Sequence, residues 1–142
     1  MTVTREAEGS AKVVRADEQG ATDRNEVVVE GRVSAAPERR TLPSGDEVVA
    51  LRVVVRRGEG GVDTLPVAVG PAPPAGTRPK RGQVGRRLLG RATKLPAGAR
   101  VRVRGTLRRR WWRTGGDLRS RIEVRAATVE PLDDEASVDG AR

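Results

Sequence analysis

The sequence predicts an all-β domain: a closed barrel of five strands with one short helix between the third and fourth. Three observations carry this prediction. Apolar residues, mostly valine, alternate with polar ones in run after run, the period-two pattern of strands with one buried face. The longest run, residues 101–124 (VRVRGTLRRRWWRTGGDLRSRIEV), reads as two long strands folded together at Thr114-Gly115-Gly116-Asp117. The interval 70–98 is long enough to cross the end of a barrel and carries the only stretch patterned for a helix. An open five-stranded sandwich is the competing arrangement, but closing the sheet removes its edges and lets a valine-rich interior interdigitate.

Length bounds the domain count. At 142 residues the chain suits one domain with tails and is short for two. Residues 1–24 mix Glu, Asp, Gly, Thr and Arg without sustained periodicity and read as a disordered arm. The first strand is residues 25–33 (NEVVVEGRV), with Val27, Val29 and Val33 on one parity and Glu26, Val28, Glu30 and Arg32 on the other. Gly31 weakens this strand and marks a sharp bend. Residues 34–47 read as a loop, from two prolines and a Pro-Ser-Gly-Asp turn, with Arg39 and Arg40 displayed on it. Residues 48–57 (VVALRVVVRR) are the strongest strand; Val49, Leu51, Val53 and Val55 point inward and Arg52 and Arg56 outward.

A glycine turn leads to the third strand, residues 62–69, whose Pro66 cannot donate to a ladder and therefore belongs on an edge or bulge. Residues 70–85 hold four prolines and the basic cluster Arg78, Lys80 and Arg81, the composition of a mobile loop. Residues 86–95 (RRLLGRATKL) form the helix, with Leu88, Leu89 and Ala92 available to plug one barrel end, and Pro96-Ala97-Gly98 stops it. In the paired strands that follow, Val101, Val103 and Leu107 share one parity, while Arg102, Arg104, Arg108 and Arg110 share the other. On the returning strand Leu118, Ile122 and Val124 oppose Arg119, Arg121 and Arg125 in the same way. In-register pairing gives one apolar and one guanidinium face. Trp112 falls on the arginine face and Trp111 on the apolar one, unless a bulge at Gly105 exchanges them. The returning strand continues to Leu132, and residues 133–142 are an acidic tail expected to be disordered. Five strands with a helix between the third and fourth is the order of an OB-fold, here over residues 25–132.

The net charge of +9 is unevenly placed. The arm carries four basic and five acidic residues and the tail one and four, which leaves 23 basic and 10 acidic residues, or +13, between them. Such an excess on a small domain favours polyanions, nucleic acid first and an anionic membrane second. Nearly all of it is arginine, which a GC-rich coding bias can also produce; the concentration of arginine on strand faces and one tip favours binding.

Other chemistry is poorly provided for. Without cysteine there is neither a disulfide framework nor a thiolate metal site, and without histidine the commonest general base is missing, so no metal or cofactor is expected. No run approaches the length of a membrane span and no signal peptide opens the chain, so a cytoplasmic protein without a membrane partner is expected. Residues 85–91 (GRRLLGR) mimic a phosphate-loop spacing but lack its Lys and Ser or Thr, and Asp133-Asp134 is a tail charge run rather than a held carboxylate pair. An enzyme is not expected.

Several motifs in order carry a resemblance: Asn25 and Gly31-Arg32 in the first strand, Pro37-Glu38 before a Ser44-Gly45 turn, and Gly105 followed seven residues later by Trp112. Together they resemble the bacterial single-stranded DNA-binding protein family over residues 25–132. The resemblance implies an OB-fold that binds single-stranded DNA in replication, recombination or repair, associated with the nucleoid. It also implies a homo-oligomer, usually a tetramer, with Trp112 at the position whose ring stacks a nucleobase. The sequence departs from the family where other stacking rings are common, with Val69 before Gly70 and Asp63 near another such place. The tail has acid but ends Asp-Gly-Ala-Arg without an apolar tip, which makes tail-mediated recruitment of other proteins doubtful.

The reading is a non-enzymatic protein that binds single-stranded DNA with little sequence preference. Phosphates would be held by Arg39, Arg40, Arg52, Arg56, Arg102, Arg104, Arg108, Arg110 and Arg121, and bases stacked on Trp112. Trp111 is a packing or interface residue. The alternatives are an OB-fold scaffold or assembly protein that uses the tryptophan tip for protein contacts, and a single-stranded RNA binder. The missing aromatics favour the scaffold; the placement of arginine favours strand binding.

Overall fold

The computed structural model describes residues 23–133. The expected disordered arm and acidic tail lie outside the described residues, apart from Asp23, Arg24 and Asp133. Six strands and a helix follow in the order β1 (Val27–Val33), β2 (Glu38–Thr41), β3 (Glu47–Arg56), β4 (Val62–Ala72), α1 (Arg86–Thr93), β5 (Arg100–Thr114) and β6 (Asp117–Pro131). The sheet runs β1-β5-β6-β4-β3-β2, and an extra β1–β3 pairing closes the five long strands into a barrel, the OB-fold arrangement. All pairings are antiparallel except β4 with β6.

Closure depends on one corner. β1 pairs with β5 up to Arg32, then with β3 through Arg32↔Val54 and Val33↔Val53, so a seven-residue strand serves both sheet edges. Gly31 sits at this changeover, where a Cβ would collide with the Val54 carbonyl oxygen. The glycine of the Gly31-Arg32 motif is therefore a packing requirement of the closed barrel. Asn25 has a comparable reason. Its amide donates to the Leu107 carbonyl and accepts from the Leu107 N–H, both at 2.8 Å, and so extends the β1–β5 ladder with a side chain in place of backbone.

The interior is small and aliphatic. Nine of its fifteen buried members are valine, contributed by every long strand, among them Val33, Val53, Val69, Val103 and Val129 at 0–1% exposure. β-branched side chains lose little on a pleated surface, which lets the barrel fill without rings. Leu89 and Ala92 of α1, with Leu95 just beyond, complete this core and plug one end. Glu47 ties the helix to the sheet: its carboxylate meets Arg39 of β2 at 2.8 Å and Arg86 of α1 at 2.9 Å.

Two boundaries differ from the expectation. The interval 34–47, expected as a loop, contains β2, paired with β3 through Glu38↔Ala50 to Thr41↔Glu47. All four of its residues are exposed, so it lacks the alternation that reveals a strand in sequence. β4 continues past the expected Val69 to Ala72, a fully buried residue beyond the Gly-Pro pair that reads as a stop. Pro66 lies where β4 has β3 on one side and has not yet met β6, an edge position as its missing N–H requires.

Candidate nucleic-acid interface

β5 and β6 are each fifteen residues long, and the barrel supports only part of them. β1 pairs with β5 no further than Gly105, and β4 meets β6 only at residues 124–126. With Asn25 extending the β1 side to Leu107 and Glu123 still buried, residues 108–122 stand beyond these pairings as a two-stranded arm. Gly115 and Gly116 close it with φ of 56° and 89°, the left-handed pair that a two-residue hairpin turn needs.

A bulge sets the phase of the arm. Arg104 pairs with Thr128 but Gly105 pairs with Ala126, so Ala127 of β6 is the extra residue. A Cβ at residue 105 would collide with the Arg125 carbonyl oxygen, which explains the glycine opposite the bulge. Because the insertion lies in β6, the alternation of β5 runs unbroken and Trp112 stays on the parity of Arg108 and Arg110.

The two faces of the arm are chemically distinct. One carries Trp112, half-buried, with the guanidinium carbons of Arg110 and Arg121 over its ring at 5.5 and 5.9 Å from the centroid. The other carries Trp111, Leu118 and Ile122, with Leu107 at its base, all between 43% and 58% exposed. The apolar face expected from the sequence thus exists, but the arm projects it beyond the core, and Trp111 packs against the barrel no more than its neighbours do. Arg109 lies over the Trp111 ring at 5.7 Å.

The arginine face of the arm continues into a groove of about 650 Å³ across the outside of β3, β4 and β6. Small side chains, Val48, Ala50, Pro66 and Ala68, line it, together with Arg40, Arg52, Arg110, Arg121, Glu123 and Arg125. Arg40, Arg52 and Arg110 line this groove and form no ion pair among the described residues. Arg39 is held instead by Glu47, and Arg102 by Glu30 at 2.7 Å and Glu130 at 3.5 Å. Hydrogen bonding to these arginines, foremost Arg39 and Arg102, holds the Glu47 and Glu30 carboxyls below the usual glutamate value. Arg56, Arg104 and Arg108 are exposed on strand surfaces outside the groove lining. Val69, where the resemblance places a ring, is fully buried in the core, and Asp63 is bound by Arg57 at 2.7 Å.

Two groove residues escaped the sequence reading as site members. Arg125 is half-buried, its Nε unpaired among the described residues, and burial followed by the charge of Arg108 pushes its guanidinium below the ordinary arginine value. Glu123 is 5% exposed. The signal for it was a single acid between Arg121 and Arg125 on one parity of β6.

Among the described residues no helix is long and apolar enough to cross a membrane. No protein-family model matches the chain, and no curated protein matches it. Solved structures do: the chain is similar to the SSB of Plasmodium falciparum, solved as a complex with ssDNA, with a TM-score of 0.58 and 20% identity, over 79% of this chain and 97% of that one. This likeness establishes the fold, a closed OB-type barrel similar to that of an SSB.

Proposed function

We propose that residues 25–132 are a single-stranded DNA-binding domain that engages the strand with little sequence preference, as a binding protein rather than an enzyme, in replication, recombination or repair at the nucleoid. The observation that carries this reading is the continuity of one face: uncommitted arginines in a groove with an aliphatic floor, leading to a tryptophan on the same parity of the arm. Guanidinium groups spaced along a groove suit a flexible phosphate backbone, and a ring at its end suits a base, a combination that tolerates any sequence. The SSB structure to which the chain is similar holds ssDNA, which favours DNA over RNA.

Titration of labelled oligo-dT, oligo-rU and duplex across salt tests the proposal. Oligo-dT affinity is expected to fall with salt at a log-log slope of about −0.7 per phosphate neutralised and to exceed affinity for duplex. Equal affinity for duplex at moderate salt would overturn the single-strand reading.

The exposed apolar face of the arm favours a second role. Leu107, Trp111, Leu118 and Ile122 lie exposed on the face opposite the groove, interspersed with Arg109, Arg113 and Ser120, and we infer that this face buries against a second copy, as the family resemblance to homo-oligomers implies. The scaffold alternative would use this face alone and leave the groove unoccupied.

A further inference from the structure

Glu123 is the anomaly of the groove. It lies opposite Arg108 across the ladder and two residues from both Arg121 and Arg125, yet its carboxylate forms no hydrogen bond among the described residues. Its ion pair to Arg121 is long, at 3.8 Å, in a side chain only 5% exposed. Its oxygens are not among the buried atoms left without a partner, so the little surface this side chain keeps is where its acceptors meet the groove it lines, a space of about 650 Å³, within the range of small-molecule sites.

We infer that Glu123 is the base-reading element of a subsite that takes a guanine from the bound strand. An ionised carboxylate only accepts, through two oxygens side by side. Guanine alone among the DNA bases presents two adjacent donors on its pairing edge, the ring N1–H and the 2-amino group, which match both oxygens. Thymine offers one N–H flanked by two carbonyls whose lone pairs would face the carboxylate. Adenine and cytosine each place an acceptor nitrogen beside their amino group. The opposite edge of guanine, O6 and N7, is the pattern that a guanidinium reads in bidentate fashion, and Arg110 and Arg121 line the same groove. The small side chains of Ala50 and Ala68 on its floor leave room for a base. The inference rests on the single-strand reading and adds one position of preference to otherwise sequence-tolerant binding.

The test compares three oligomers on the full chain: oligo-dT, the same oligomer with isolated guanines, and one with inosine in their place, which keeps N1–H and O6 and lacks the 2-amino group. The guanine oligomer is expected to bind about tenfold tighter than oligo-dT, with inosine between them. Glu123→Gln should abolish this order while oligo-dT binds as well as before or better, since an amide removes negative charge from an arginine groove. Equal binding of guanine and thymine oligomers by the parent protein, or of guanine and inosine oligomers, would overturn the inference. So would a variant that weakens all three equally, because Glu123 would then only position Arg121. The parent comparison needs no variant, so misfolding cannot shield the idea. Retained oligo-dT binding without guanine preference removes this inference alone, whereas loss of oligo-dT binding by the parent removes the single-strand reading as well.

Discussion

Replacing Trp112 with Ala separates stacking from packing, and the structure bounds the outcome. A base on an aromatic ring contributes about 1–3 kcal/mol. In the free protein that ring already carries the guanidinium groups of Arg110 and Arg121 at 5.5 and 5.9 Å. Each such contact at an exposed site contributes about 0.5–1 kcal/mol. A base that displaces one of them therefore gains at most about 2.5 kcal/mol net and about 1.2 kcal/mol at mid-range, or about 8-fold in Kd. Anisotropy of labelled oligo-dT at fixed salt measures this loss directly. The salt slope should stay constant, because the variant removes no phosphate contact. Thermal stability should also change little, since the ring lies on the arm beyond the last rung that the barrel supports. Unchanged oligo-dT affinity would refute the stacking role. A melting point lowered to the extent typical of a lost core ring, about 3–5 kcal/mol, would mean that Trp112 is a packing residue.

Three other perturbations follow from the same geometry. Trp111→Ala combined with Leu118→Ser should shift the protein to smaller species in sedimentation while monomer stability holds, because both side chains are more than half exposed; an unchanged oligomer would exclude this face as the interface. Gly31→Ala should destabilise by about 1–3 kcal/mol, because its methyl group meets the Val54 carbonyl and the backbone must shift; wild-type denaturant stability would contradict the corner assignment. The Glu47 and Glu30 carboxyls titrate below their unfolded value, so their stabilising effect is complete above about pH 4.3 and is lost as pH falls through their lower folded values. Glu47→Gln should flatten the acid limb of a melting-temperature profile, and an unaltered limb would show that the Arg39 and Arg86 pairs contribute nothing.

What the sequence disclosed and what it hid have physical causes. Strands with one face in the core announce themselves by alternation, so β3, β5 and β6 and the inward valines were readable, as were the turn at Gly115-Gly116 and the helix with its buried Leu89. β2 was not, because a fully exposed strand has no alternation to display. The bulge was half-visible: Gly105 marked the place, but only pairing shows that the extra residue is Ala127, across the ladder. Among the candidate phosphate ligands, parity correctly put Arg52, Arg110 and Arg121 on outer faces. It could not show that Arg39 and Arg102 face carboxylates from other strands, since Glu47 and Glu30 come alongside only when the barrel closes.

The single extra residue at Ala127 acts as a phase shifter between two machines that share one strand. On its far side Val129 fills the barrel, and on its near side Val124 and Ala126 do so from the other parity. Everything beyond inherits that offset, including which of Glu123 and Ile122 looks into the groove. Because side chains repeat every two residues, the arm can change its reach without changing its chemistry only by gaining or losing residues in pairs, matched on both strands. A one-residue change on the groove side of Ala127 would turn the leucine and isoleucine of β6 toward the groove and its arginines toward the opposite face of the arm. Length variation in this hairpin is thereby quantised, and the register of binding is inherited from a position that touches no ligand.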